Sequence, residues 1–143
     1  MDFKELRKRH ETEASNFSKG KIYWVFGSTE KEIIDKLKNE YGLEPNQVIS
    51  IGAGGYIRKE YLNDFDTLID RQFKEKREYT LANIYEVVQY YCWDYEMYIS
   101  ISYDLDTLLT EVVGLTPEEI NENQDEINRA WRDYKKEFEE INL

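Results

Sequence analysis

Carboxylates are the residues with most chemistry to offer in this chain, and they are unevenly placed. Between Trp93 and Asn128 stand Asp94, Glu96, Asp104, Asp106, Glu111, Glu118, Glu119, Glu122, Asp125 and Glu126, with no Lys or Arg among them. Four rings, Trp93, Tyr95, Tyr98 and Tyr103, crowd the start of the same stretch. Such acids can ligate a cation, move protons, or present a negative surface to a basic partner. Asp104-x-Asp106 opens like a calcium loop, but Leu108 takes the third acidic position and Leu109 the required glycine, so no metal site is expected. The bland alternative is a solvated face that keeps a small protein in solution.

On the final predicted helix Glu118, Glu122, Asp125 and Glu126 share the face opposite the apolar seam. Carboxylates recurring at a helical pitch of about 5.4 Å approximate the spacing of successive phosphates along a strand. Glu118 and Glu119 suit the positive end of that helix and Asp104 can cap its neighbour, which accounts for these three locally. The predicted partner-binding set is therefore Asp94, Glu96, Asp106, Glu111, Glu122, Asp125 and Glu126, with Tyr98 and Tyr103.

Other chemistries have less material. His10 and Cys92 are each the sole residue of their type, too few for a usual zinc site, and neither sits in a recognisable catalytic motif. Cys92 falls on the apolar face of a predicted helix and reads as a buried, inert thiol. Gly52-Ala-Gly-Gly55, followed by Lys59, admits two readings: the turn of a hairpin, or a phosphate-cradling loop using Gly52, Gly54, Gly55 and Lys59. The glycine spacing matches neither the dinucleotide fingerprint nor the P-loop, because Lys59 is followed by Glu60, which favours the hairpin. No cofactor is called for.

The formal net charge of −11 is concentrated late in the chain: residues 94–143 hold fourteen acids against four bases. That balance argues against direct nucleic-acid binding, which needs clustered Lys and Arg. A lone cysteine permits no internal disulfide and fits a reducing, cytoplasmic setting. No apolar run approaches a membrane span and the polar start lacks a signal-peptide core, so no membrane association is expected.

The elements that must position these groups follow from periodicity. Residues 2–17 predict a helix, with 1–19 forming an N-terminal arm, and Lys21–Phe26 a strand ended by Gly27. Thr29 with Glu32 caps a helix that runs to Gly42, and Gln47–Ile51 and Tyr56–Arg58 predict further strands. From Lys59 the apolar positions Tyr61, Leu62, Phe65, Leu68, Ile69 and Phe73 mark a helix fraying in the charged run Lys74–Glu78. Thr80 is expected to cap the next helix, through Tyr95. Met97–Tyr103 alternates at period two and predicts a short strand, with Met97, Ile99 and Ile101 on one side. A brief helix follows from Asp104 or Thr107 to Gly114. Thr116, Pro117 and Glu119 then start a long C-terminal helix over 116–142, whose Ile120, Gln124, Ile127, Trp131, Tyr134, Phe138 and Ile141 form a heptad seam best docked within the chain. The fold expected is a single α+β domain over 1–143, helix-dominated, with a small sheet of two to four strands and a long amphipathic C-terminal helix.

Tyr23-Trp-Val-Phe-Gly-Ser28 and Ser50-Ile-Gly-Ala-Gly-Gly-Tyr-Ile-Arg-Lys59, followed by a charged helix, resemble a poorly characterised family of small proteins carried by phages and other mobile elements. The resemblance covers roughly residues 20–95. It implies a mobile-element context and no established activity. Small acidic phage proteins often block host nucleases by occupying their nucleic-acid sites, so context and charge together predict a non-enzymatic anti-defence protein, an anti-CRISPR or anti-restriction inhibitor. Its partner would be a host nucleic-acid-binding protein such as a CRISPR or restriction nuclease, met in the host cytoplasm. Two alternatives stand: a scaffold module using the 120–141 seam, which could pair two copies as a homodimer, and a nucleotide-binding protein using Gly52–Gly55.

Overall fold

The computed structural model describes residues 1–142, and the fold is α+β: mostly helical, with one small antiparallel sheet and a long C-terminal helix. The chain's internal contacts group it into two compact units. One spans Arg7–Phe73; the other joins Met1–Leu6 to the chain from Lys74 on. The divisions fall inside helices α1 (Phe3–Ser18) and α3 (Leu62–Ala82).

The Arg7–Phe73 unit holds the whole sheet. Strands β1 (Ile22–Trp24), β2 (Val48–Gly52) and β3 (Gly55–Arg58) lie in the order β1-β3-β2, every pair antiparallel. Helix α2 (Glu30–Tyr41) begins as its sequence predicts: the Thr29 hydroxyl accepts from the Glu32 amide at 3.2 Å, and the Glu32 carboxylate accepts from the Ser28 amide at 2.9 Å. It ends at Gly42 in a left-handed conformation, and the Leu43 amide donates to the Leu37 carbonyl at 3.0 Å. Leu37, Leu43, Val25 and Val48 then bury together, with Tyr23, Ile33 and Tyr56 packed around them. Each such burial stabilises by about 1.5–3 kcal/mol.

β2 and β3 form a hairpin whose turn is Gly52–Gly55. Ala53 and Gly54, its central pair, both have positive φ (51° and 84°), the requirement of a type I′ turn. The glycines also clear space for rings. A Cβ on Gly54 would lie 2.3 Å from the Phe26 ring, and one on Gly55 2.8 Å from Trp24. The loop therefore leads from strand to strand, and the Gly54 and Gly55 surfaces are filled by aromatic side chains, unlike a phosphate cradle opening into a helix. Lys59, exposed, starts a 3-10 turn after β3.

In the second unit α3 continues without a break through Lys74–Glu78 to Ala82, so Thr80 caps nothing; it is buried, its hydroxyl donating to the Lys76 carbonyl at 2.8 Å. The charged run stays helical because its bases find carbonyls: Lys76 donates to Val112 and Arg77 to Gly114. Asn83 separates α3 from α4 (Ile84–Asp94). The core is built from α4's Ile84, Val87, Val88, Tyr91 and Cys92, with Phe3, Leu108, Leu109, Ile127, Ala130 and Tyr134.

Helical turn α5 (Leu105–Thr107), capped by Asp104, runs into a π-helical segment Leu108–Val113 that stops at left-handed Gly114. Thr116, Pro117 and Glu119 form the predicted capping box, but the C-terminal helix comes in two pieces, α6 (Pro117–Glu122) and α7 (Gln124–Asn142). Asn123 divides them by donating its side-chain amide to the Glu119 carbonyl at 2.8 Å, the local competition that Asn offers a helix. Of the seam, Ile127 and Tyr134 are buried within the unit, while Gln124 and Ile141 are exposed.

The strand expected over Met97–Tyr103 does not form; the segment is a chain of turns and bends. Period-two alternation makes a strand only where a partner strand exists, and all strands among the described residues belong to the other unit.

A candidate acidic interface

Charge divides with the fold. The Arg7–Phe73 unit holds eleven Lys and Arg against eleven Asp and Glu, whereas the other holds eight against nineteen. The entire excess of −11 therefore sits in the unit built on α4 and α7.

These two helices pack side by side and run parallel. At the start of α4 the Tyr85 hydroxyl donates to Asp133 at 2.7 Å and Arg129 lies 4.2 Å from the Tyr85 ring centroid. At the end of α4 Trp93 meets Tyr134 edge-to-face at 4.9 Å, and beyond it Tyr98 stacks on Phe138 at 4.3 Å. This pairing places the predicted acids in separate groups. Asp94 closes α4, Glu96 lies in the following turn with φ +49°, and Tyr98 follows, its hydroxyl donating to Glu139 at 3.0 Å. Tyr103, half-buried, meets Tyr95 edge-to-face at 5.4 Å, and exposed Asp106 is three residues on. Glu126, by contrast, shares a cleft of about 420 Å³ with Leu81–Glu86 at the start of α4, near Glu122 and Asp125 in sequence. Since α4 is about 16 Å long, the acids form two patches at its ends and not one continuous track. Glu111 is exposed on the π-helical segment.

Some acids are neutralised from outside the acidic stretch. Arg77 meets Glu119 at 2.6 Å, which with the Thr116 amide holds the Glu119 carboxyl below the usual range, and Arg129 meets Glu126 at 2.8 Å. The Asp104 carboxyl is likewise lowered, by the Thr107 amide that it caps. Asp94, Glu96, Asp106, Glu111, Glu122 and Asp125 have no ion-pair partner among the described residues.

Sequence reasoning missed the apolar part of this surface. Met97 is buried, but Ile99 is 62% exposed and Ile101 fully exposed at the tip of the loop after α4. Their only signal was the lack of any neighbouring segment able to pair with them as a strand.

Cys92 is buried in the core, which pushes its thiol up to about 12, the inert state its helical position predicts. His10 lies on α1 in the other unit. No group of three or more His, Cys, Asp or Glu among the described residues is placed to hold a metal ion, and no helix among them is long and apolar enough to cross a membrane.

No curated protein and no solved structure matches the chain. A family of unknown function, DUF7659, matches over residues 2–137, a span that includes the acidic third as well as the hairpin, and the chain belongs to that family.

Proposed function

We propose that this chain is a non-catalytic binding protein that occupies a basic, nucleic-acid-binding surface of another protein, most concretely as a phage or mobile-element inhibitor of a CRISPR or restriction nuclease. The observation that carries the reading is the charge partition: one unit is neutral and the other holds the whole −11, with six carboxylates lacking an ion-pair partner among the described residues. Unneutralised charge of one sign steers association with a surface of the opposite sign and disfavours nucleic acid itself.

The test is competition with DNA for a purified CRISPR or restriction effector at low and physiological salt. Inhibition should weaken steeply as salt rises. Replacing Asp94, Glu96 and Asp106 by Lys should abolish it with the fold retained by circular dichroism; the parallel variant at Glu122, Asp125 and Glu126 reports on the other patch. Failure to bind any basic effector at low ionic strength would reject the reading.

A further inference from the structure

We propose that Ile99 and Ile101 are the apolar anchor of the acidic interface, and that the partner meets them with an apolar patch bordered by Lys and Arg. The inference rests on the function proposed above and names the chemistry of its partner. Ile101 is the most exposed of the large apolar residues described, ahead of Ile141 at 72%, and with Ile99 it forms an exposed aliphatic pair in a loop beside a well-buried core.

The loop is not merely loose chain. The Met97 amide donates to the Cys92 carbonyl at 3.0 Å and Met97 itself is buried. The next amide, of Tyr98, donates to the Tyr134 hydroxyl at 2.9 Å, and the Tyr98 ring is held between its stack on Phe138 and its bond to Glu139. On the far side the Tyr103 ring packs edge-to-face on Tyr95 at 5.4 Å, and its amide closes the loop on itself by donating to the Ser100 hydroxyl at 3.1 Å. Both stems are thus fixed while the isoleucines project, so binding would order little that is not already ordered. A few buried apolar side chains inside a polar rim supply most of the energy of a protein interface.

The rim selects the partner class. Asp94 and Glu96 precede the isoleucines, and Asp104 and Asp106 follow them. These acids would repel anionic lipid and nucleic acid and attract Lys and Arg. A basic protein surface with an apolar centre satisfies both features.

The experiment uses the full chain and two defined probes: a short amphipathic helical peptide of Leu and Lys, and the same peptide with Gln in place of Leu. At low salt the wild-type chain should bind the Leu–Lys peptide at least about tenfold more tightly than the Gln–Lys peptide, the low end of the effect of burying one aliphatic side chain. The double variant Ile99→Ser, Ile101→Ser should lose that preference and keep its affinity for the Gln–Lys peptide; Ile101→Ser alone should lose part of it. An unchanged preference in both variants, or none in the wild type, overturns the anchor. The acidic reading survives that result if Gln–Lys binding still falls when Asp94, Glu96 and Asp106 become Lys. If neither peptide binds the wild type, both inferences fail. Binding to phosphatidylcholine vesicles that disappears in the double variant would assign the isoleucines to lipid and overturn the protein partner.

Discussion

At the scale of single residues, the hairpin turn concentrates the tension between local preference and packing. Gly54 is fixed twice, by a φ of +84° and by the Phe26 ring against its Cα. Ala53 next to it adopts φ +51° with a side chain that disfavours it. Ala53→Asn would create the Asn-Gly pair that type I′ turns prefer, and should stabilise the unit by about 0.5–1 kcal/mol. Gly54→Ala should destabilise it by about 1–2 kcal/mol, the cost of a left-handed non-glycine residue, with the exposed Phe26 ring swinging aside. Denaturant unfolding followed by tryptophan emission measures both; a stabilising Gly54→Ala would show that the turn relaxes to another type. The glycine run was legible as a hairpin because turn chemistry is local. The rings that fill it were not, since Trp24 and Phe26 are nearly thirty residues away.

Among elements, three of the four predicted helix caps were legible. Thr29, Asp104 and Thr116 cap as their spacing predicts, because a cap is satisfied within three residues, whereas Thr80 lies inside α3, which runs on to Ala82. The segment after α4 was misread for the opposite reason: its conformation is set by a residue far along the chain. Tyr134, wholly buried in α7, offers its hydroxyl to the Tyr98 amide, and no pattern within 97–103 announces that bond. Tyr134→Phe removes it while keeping the ring, leaving the Tyr98 amide without its partner at a cost of about 1–2 kcal/mol. The loop should respond more than the core: amide hydrogen exchange over 96–103 should quicken well beyond the change seen in α4. Equal acceleration in both would mean that loop and helix open together and that Tyr134 is only a core residue.

For the whole molecule, the partition into two units escaped the sequence because no linker marks it and both divisions lie within helices. The charge total was legible; that one unit holds all of it required the fold. This asymmetry makes salt act in two directions. Within the acidic unit, nineteen acids against eight bases repel on balance, and raising ionic strength shortens the Debye length from about 30 Å at 0.01 M to about 8 Å at 0.15 M. Screening also weakens attractive pairs such as Arg77–Glu119, but partly exposed pairs contribute only about 0–1 kcal/mol each. Repulsion should therefore dominate, and the thermal midpoint should rise by a few degrees over that range, the shift expected of about 1 kcal/mol in a unit of this size. Under the proposed function, binding to a basic partner should weaken over the same range, because the charges whose repulsion is screened are those that would attract it. Calorimetric scans and peptide titrations on one preparation at the two salt concentrations read both slopes. A midpoint that falls with salt would mean that paired carboxylates outweigh unpaired ones in the folded state, removing the excess negative potential on which the proposed interface depends.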